Sequence, residues 1–270
     1  MSIEINIYRP CEALRPYVHS FWYGRFNEDR SPLFVQQVMP TGFVELIFHL
    51  SSQHCFLLQH GAWSKSPLYT LVGLFSKPYE VHFKDKVDCF GIRLKPEGIY
   101  NLFGVPGSKF SGEYLDMEMV LDSTFRSFSE QLIGALQPEK MVQLTEAYLL
   151  SCYRSNNINY YYLNHAAESI RNSYGMLSVD ELCKQVYISQ RQLEREFSEK
   201  LGLSPKQYQR LVRISRVNEL LVQQGKPQLT DIGYEAGYAD QAHFIREFRQ
   251  FARVTPSGFL RSKREFLVNL

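Results

Sequence analysis

The sequence has little of what marks an enzyme, a secreted scaffold or a membrane protein. Cysteine is sparse, odd in number and scattered (Cys11, Cys55, Cys89, Cys152, Cys183), with no Cys-x-x-Cys and no His-Cys cluster at zinc spacing. That argues against a disulfide framework or a structural zinc site and leaves the thiols as small buried hydrophobes. No Gly-x-Ser-x-Gly elbow, Gly-x-Gly-x-x-Gly loop or His-x-His pair occurs. Nucleophilic hydrolysis, dinucleotide binding and a cupin-type metal site therefore lack their usual residues. Nowhere do about 18 apolar residues run together. The first residues also lack a basic segment followed by an apolar one. The expectation is a cytoplasmic chain with no membrane span, metal, cofactor or enzymatic activity.

Net charge is nearly absent too, at +2 from 30 Lys+Arg and 28 Asp+Glu, but its distribution is uneven. From residue 160 onward 16 basic side chains stand against 12 acidic ones, and before it 14 stand against 16. The basic excess therefore sits on the C-terminal part, a modest footprint for an anionic partner. A length of 270 residues with 44% hydrophobic and 14% aromatic content is enough for two cored domains.

What is present is a repeat. Ser189-Gln-Arg-Gln-Leu-Glu-Arg-Glu-Phe197 and Asp240-Gln-Ala-His-Phe-Ile-Arg-Glu-Phe248 coincide at Gln190/Gln241, Arg195/Arg246, Glu196/Glu247 and Phe197/Phe248, a register of 51 residues. It continues into Ser204-Pro205 and Thr255-Pro256, each a hydroxyl cap followed by proline where a missing N–H costs nothing. In each copy a short apolar pair, Leu182/Val186 or Ile232/Ala236, precedes a turn and a longer amphipathic helix, the helix-turn-helix order. Ser178 with Glu181, Ser189 with Gln192 and Ser204 with Gln207 read as capping boxes, and Thr230 and Asp240 as caps in the second copy.

Leu193, Phe197 and Leu201, and Phe244, Phe248 and Phe251, recur at helical spacing as core positions. Opposite them project Arg191, Arg195 and Ser198 in one helix and Ala242, Arg246 and Arg249 in the other. Arginine forks onto guanine and short polar residues reach other base edges, so these faces suit a major groove. The candidate DNA contacts are Ser189, Gln190, Arg191, Gln192, Glu194, Arg195, Gln241, Ala242, His243 and Arg246. Residues 205–223, with Tyr208, Val212, Val217, Leu220 and Leu221 inward, read as a connecting helix of roughly 28 Å, near one duplex turn. Gly225, Lys226 and Pro227 would end it.

These motifs resemble the DNA-binding domain of the AraC/XylS family of bacterial transcription regulators. The resemblance is carried by Gly237-Tyr238, the polar helix ending in Arg246-Glu-Phe248, the segment Val254-Thr255-Pro256-Ser-Gly-Phe259, and Leu193-Glu-Arg195-Glu-Phe197. Val217 stands where the family's connecting helix usually has alanine, and Tyr187 where it usually has glycine. The resemblance implies a sequence-specific regulator with double-stranded DNA as partner, and RNA polymerase if it activates; a small-molecule effector in the β half and a homodimer through the helix at 139–153 are the further candidate partners.

Earlier residues read as β structure: 3–7, 18–26, 33–39, 43–50, 55–59, 68–75, 79–83 and 87–94, with a hairpin expected at Pro40-Thr41-Gly42. So many short strands imply a barrel or sandwich. Helical patterns follow at 97–103, 108–115, 123–136 and 139–153; Met141, Leu144, Ala147, Tyr148 and Leu149 give the last an apolar face that must cover the barrel or a second subunit. Glu45-Leu-Ile-Phe48, Phe90-Gly-Ile-Arg93 and Pro96-x-Gly98 are similar to a cupin-like sensor region found ahead of AraC-type domains.

The expected class is α+β: a cupin-like β domain (1–95), a helical interdomain or dimerisation region (96–154), a linker (155–159) and an all-α domain with two helix-turn-helix units joined by a long helix (160–270). Trp22, Tyr23, His49, Trp63, Phe75, Tyr79, Phe90 and Arg93 are candidates to line a ligand-holding interior, or simply to fill it. Glu45, His54, His60 and His82 complete the polar side chains of this half that might converge. A cupin enzyme with DNA binding attached and a protein-interaction scaffold are the alternatives from other classes.

Overall fold

The computed structural model describes residues 2–27, 35–50, 55–83, 86–156, 161–223, 228–261 and 266–267. His54, Gly225, Lys226, Pro227 and linker positions 157–159 lie outside the described residues.

The strands in chain order are β1 (Ser2–Tyr8), β2 (Val18–Asn27), β3 (Val35–Val38), β4 (Val44–His49), β5 (Cys55–Gln59), β6 (Ala62–Lys65), β7 (Tyr69–Val72), β8 (Tyr79–Phe83), β9 (Val87–Leu94), β10 (Tyr114–Asp116) and β11 (Phe266–Leu267). They form two facing sheets, ordered β1-β2-β9-β4-β7-β10 and β11-β3-β8-β5-β6. Side chains alternate between faces along a strand. In β4, Val44, Leu46 and Phe48 join the core beneath the helices, whereas Ile47 packs between the sheets with Trp22, Val72, Val81 and Cys89. A strand buried on both faces loses its polar alternation, and so β4 reads as a nearly continuous apolar run.

Three expectations change. Pro40-Thr41-Gly42 does not close a hairpin: β3 pairs with β8 and β4 pairs with β7 and β9, so this turn crosses between sheets. Strand β6 escaped notice because all four of its residues are exposed and carry no alternation. It is joined to β5 by His60 (φ 51°) and Gly61 (φ 81°), the two positive φ angles of a tight hairpin turn. Residues 108–115 hold a 3-10 turn at Gly107–Lys109 followed by β10, paired to β7, in place of the expected helix.

Helices α1 (Pro96–Phe103), α2 (Ser123–Gly134) and α3 (Pro138–Asn156) cover the outer face of the six-stranded sheet. Phe125 and Phe128 of α2 stand 6.0 and 5.7 Å from Phe48, ring to ring. In α3, Met141, Thr145 and Leu149 are buried. Tyr148 stacks flat on Phe128, with 4.2 Å between centroids. The apolar face of α3 is thus spent within this chain, and Ala147 is exposed. The helix runs to Asn156, into the segment expected as linker.

The remaining helices are α4 (Tyr161–Asn172), α5 (Val179–Val186), α6 (Gln190–Lys200), α7 (Pro205–Gln223), α8 (Leu229–Glu235), α9 (Gln241–Ala252) and α10 (Pro256–Arg261). Ser178 and Glu181 close a reciprocal box at α5, as do Ser204 and Gln207 at α7. At α6 the Ser189 hydroxyl accepts from the Gln192 N–H. Thr230 lies inside α8, whose cap position is Gln228. The inner face of α7 is Tyr208, Leu211, Ile214, Val217, Leu220 and Leu221; Val212 is half-buried.

One apolar cluster runs without a break from β4 through α1–α3 into α4–α9. The helical layer and the C-terminal helices also meet through polar groups. Arg171 of α4 donates from both terminal nitrogens to the Glu97 carboxylate of α1, at 2.9 Å for Nη1 to Oε2, and at 3.0 Å to the Tyr208 hydroxyl of α7. Asn101 donates to Asn164 at 2.9 Å. Gly107 backs directly onto the chain at Leu201 and Gly202, just past α6, where a Cβ would stand 2.3 Å from the Leu201 carbonyl carbon.

Candidate nucleic-acid interface and lumen

Helices α5 and α6 form one helix-turn-helix unit, α8 and α9 the other, and α7 joins them. The first turn is made by Tyr187 in the left-handed region (φ 56°, ψ 38°), an unusual place for a residue with a Cβ. In the second unit Gly237 (φ 78°) takes that conformation, and Tyr238, Ala239 and Asp240 follow before α9. The Asp240 carboxylate caps α9 by accepting from the His243 N–H at 2.7 Å.

Leu193 and Phe197 are fully buried in α6, as are Phe244 and Phe248 in α9. The opposite faces reach solvent: Ser189, Gln190, Arg191, Glu194 and Arg195 in α6, and Gln241, Ala242, Arg246 and Arg249 in α9. Gln192 and His243 are half-buried at the edges. Gln190 donates to Glu194 at 2.9 Å, so these two side chains are held together. Arg246 folds back onto the Ala242 carbonyl at 3.2 Å. Arg191, Arg246 and Arg249 form no ion pair among the described residues, and their charge is free to meet an anionic partner.

The repeated glutamates do something else. Glu196 and Glu247 are 6% and 5% exposed. Glu196 accepts from Lys200, from the Tyr162 hydroxyl of α4 at 2.9 Å and from Arg195 at 3.1 Å. Burial pushes its carboxyl up, but those hydrogen bonds outweigh burial and hold it below the usual range. Glu247 accepts from Arg210 of α7 at 2.9 Å, with Arg213 at 3.9 Å and His243 at 3.5 Å. Each glutamate fastens its long helix to a neighbour, so the shared Arg-Glu pair of the repeat combines one outward and one inward residue.

A cleft of about 890 Å³ runs between α7 and α9, lined by Lys206, Gln209, Arg210 and Arg213 on one wall and His243, Arg246, Arg249 and Gln250 on the other, with Glu247 at its base. The α7 wall was not read from the sequence. Its signal was there, in the helical spacing of positions 206, 209, 210 and 213, but was absorbed into a helix treated only as a spacer.

In the β half, Trp22, His49, Phe75 and Tyr79 line two adjoining cavities between the sheets. Arg93 reaches them through Glu45, to which it donates at 2.6 Å, and Trp22 donates to the same carboxylate at 2.9 Å. Phe90, proposed for the lumen, faces the helical layer beside Phe21 and Phe48. Tyr23 packs toward that same outer core. Trp63 is 43% exposed on β6 and meets His82 edge-on. Phe90 and Tyr23 depart because strand parity sets the face, which aromatic content does not reveal, and Trp63 because β6 is an edge strand exposed along its whole length. His49 lies with Nε2 3.0 Å from the Ser66 hydroxyl and Nδ1 3.4 Å from the Cys89 thiol. Burial pushes the Cys55 thiol up to about 11 and the Cys89 thiol well above its ordinary value. Both thiols are therefore kept protonated and unreactive. His60 is exposed, 3.7 Å from Glu113.

With this geometry in hand, comparison with known proteins separates the two halves. Residues 182–262 match the family described as a helix-turn-helix domain, and residues 6–116 match a domain of unknown function (DUF6597). Over 80 residues the chain is 38% identical to the HTH-type transcriptional regulator ArgR of Pseudomonas aeruginosa, and over 88 residues 31% identical to the HTH-type transcriptional activator RhaS of Escherichia coli. These alignments cover 30% and 33% of this chain. The chain spans only 24% and 31% of the length of those two relatives.

The C-terminal domain is an AraC-type helix-turn-helix domain. A longer but weaker match, 25% identical over 171 residues, joins 62% of this chain to 61% of the Msm operon regulatory protein of Streptococcus mutans. Among solved structures, ToxT from Vibrio cholerae is 13% identical, covering 96% of this chain and 97% of that one at a TM-score of 0.49. An AraC-type regulator from Chromobacterium violaceum is 32% identical, covering 38% of this chain and 91% of that one at a TM-score of 0.35. In the C-terminal domain the exposed face of α9 and the cleft beside it bring together Lys206, Arg210, Arg213, His243, Arg246 and Arg249. No helix among the described residues is long and apolar enough to cross a membrane.

Proposed function

We propose that the protein is a sequence-specific DNA-binding transcription regulator whose β half modulates its DNA-binding half. The observation that carries this reading is the pair of solvent-facing recognition surfaces on α6 and α9. These present Arg191 and Arg195, and Arg246 and Arg249, from two helix-turn-helix units held by one rigid connecting helix. Guanidinium groups on the outer face of such a helix recognise guanine edges and phosphates. The spacing set by α7 suits successive major grooves on one side of the duplex. Ser189 and Asp240 position the helix starts as caps, Gln190, Glu194, Gln241 and Ala242 stand at the readout surface, and Gln192 and His243 border it. Double-stranded DNA is the primary partner in this reading, and a small-molecule effector in the lumen is the modulator. A second copy of the chain and RNA polymerase are the protein partners at a promoter, and the cytoplasm is the compartment of action.

The test is selection of bound sequences from a random duplex library, followed by footprinting with Arg195→Ala and Arg246→Ala. Each variant is expected to lose about 1 to 3 kcal/mol of discrimination at one or two base pairs, with far less effect on non-specific binding. Unchanged footprints with both variants refute the assignment of these helices as the reading surface. Absence of any selected sequence refutes the regulator itself.

A further inference from the structure

The cleft between α7 and α9 gathers charge of one sign. Lys206, Arg210 and Arg213 line it from α7 and Arg246 and Arg249 from α9, against one carboxylate, Glu247. Glu247 is already engaged by Arg210, and Lys206, Arg246 and Arg249 form no ion pair among the described residues. Like charges gathered around one cleft repel one another, and an anion placed among them relieves the repulsion.

Arg210 is fixed in place before any anion arrives. Its Nε donates to Glu247 at 2.9 Å and its Nη2 to Gln250 at 2.6 Å, and its guanidinium lies 5.3 Å from the centre of the Phe251 ring. Nη1 makes no hydrogen bond among the described residues. A guanidinium held at two corners offers its remaining donors without further ordering, which lowers the entropic cost of binding an oxyanion. Lys206 is exposed one helical turn earlier, on the same side of α7. The first helix-turn-helix unit is built differently: Glu196, at the repeat position of Glu247, is matched by Arg195 and Lys200 of its own helix. In the second unit the glutamate draws instead on α7, whose cations outnumber it.

Position decides which anion. A helix seated in a major groove about 12 Å wide has a phosphate strand on either side, roughly 6 Å from its axis. A neighbouring helix about 8–10 Å away then stands over one of those strands, provided that it borders the readout face. The cleft meets that condition, because Arg246 and Arg249 belong both to its wall and to the exposed face of α9.

We infer that this cleft grips the phosphodiester strand bordering the groove read by α9, with Lys206 and Arg210 as its phosphate contacts, so that α7 anchors the duplex as well as spacing the two units. This rests on the regulator reading above and names the part of the DNA that the cleft takes. Such contacts carry no base information; they set affinity, salt dependence and the register in which α9 enters the groove.

The test uses the full-length protein and its selected duplex, carrying one uncharged methylphosphonate at each backbone position in turn. At one or two positions beside the base pairs whose preference Arg246→Ala alters, the methylphosphonate should weaken parent binding by about two- to fivefold, the size of an exposed ion pair, and should leave Lys206→Gln unaffected. Lys206→Gln should also reduce the log–log salt slope of binding by about 0.9, on selected and random duplexes alike, with the preferred sequence unchanged. Lys206→Arg should restore both properties, and Lys140→Gln, at an exposed position of α3, should change neither. Arg210→Gln made together with Glu247→Gln strands no buried carboxylate, and it should uncouple a neighbouring phosphate in the same way. Methylphosphonate effects equal in the parent and Lys206→Gln at every position overturn the strand assignment; a rise in melting temperature with pyrophosphate that Lys206→Gln abolishes would then give the cleft to a free anion. An altered sequence preference in Lys206→Gln overturns the division between anchoring and reading. A chain that selects no sequence fails the regulator reading before this test begins, so the two failures are distinct.

Discussion

Replacing Arg171 by methionine tests whether the two halves of the chain stand or fall together. The guanidinium joins three helices: Glu97 of α1, 1% exposed at its side chain, Arg171 itself on α4, 15% exposed, and Tyr208 of α7. Burial alone would lower the Arg171 pKa, but the Glu97 carboxylate and the Tyr208 hydroxyl raise it above its ordinary value. Burial in turn pushes the Tyr208 phenol up to about 12. Removing the guanidinium strands a buried carboxylate, and breaking such a pair from one side costs about 3–5 kcal/mol. Adding Glu97→Gln removes the stranded charge. The double variant should therefore be more stable than the sum of the single effects predicts, by about 2 kcal/mol, within the range measured for residues in direct contact. Urea unfolding followed by tryptophan emission, which reports the β half, and by helical circular dichroism, which reports mainly the C-terminal half, provides the assay. The parent should show one coincident transition, and Arg171→Met should separate the two probes. A loss below about 1 kcal/mol, or strict additivity in the double variant, would refute the claim that this cluster ties the halves.

Gly107→Ala places a methyl group 2.3 Å from the Leu201 carbonyl carbon, backbone against backbone. It should cost about 1–3 kcal/mol by overpacking and lower the melting temperature, whereas an unchanged melt would show that the junction yields freely. Tyr187→Gly relieves a left-handed residue whose side chain is 93% exposed. Strain of roughly 1–2 kcal/mol is offset in part by glycine's greater unfolded entropy, so a small rise in stability is expected in chemical denaturation. Glu196 has a folded pKa below its unfolded value near about 4.3. Its contribution is therefore complete above about pH 4.3 and is lost as pH falls through the folded pKa. Glu196→Gln should flatten the acid limb of the stability profile, and an identical limb in the variant would contradict the assignment.

Much of the C-terminal half was determined by the sequence alone, because its signals are local. Ser178 with Glu181, Ser204 with Gln207, and Asp240 each satisfy backbone N–H groups within three residues, so capping chemistry written in the chain is the capping observed. Helical spacing placed Leu193, Phe197, Phe244 and Phe248 in the core, because a helix buries one stripe wherever its partner comes from. Even there, Glu196 and Glu247 shared the repeat register of the arginines beside them, and only the packing of α4 and α7 showed that the glutamates point inward.

The β half was decided by pairing at long range. A turn such as Pro40-Thr41-Gly42 has the same local chemistry whether it folds a strand back or hands it to the opposite sheet, and only the partners of β3 and β4 decide which. The faces of Trp22 and Tyr23 likewise follow from one residue of strand parity, which the sheet fixes and composition cannot. The junction of the halves was the least legible feature. Glu97, Arg171 and Tyr208 are up to 111 positions apart, and Gly107 and Gly202 resemble any loop glycines until two backbones meet there. Local rules specify elements, but no local rule specifies which elements become neighbours, so the contacts joining the β half to the helix-turn-helix half belong to tertiary structure alone.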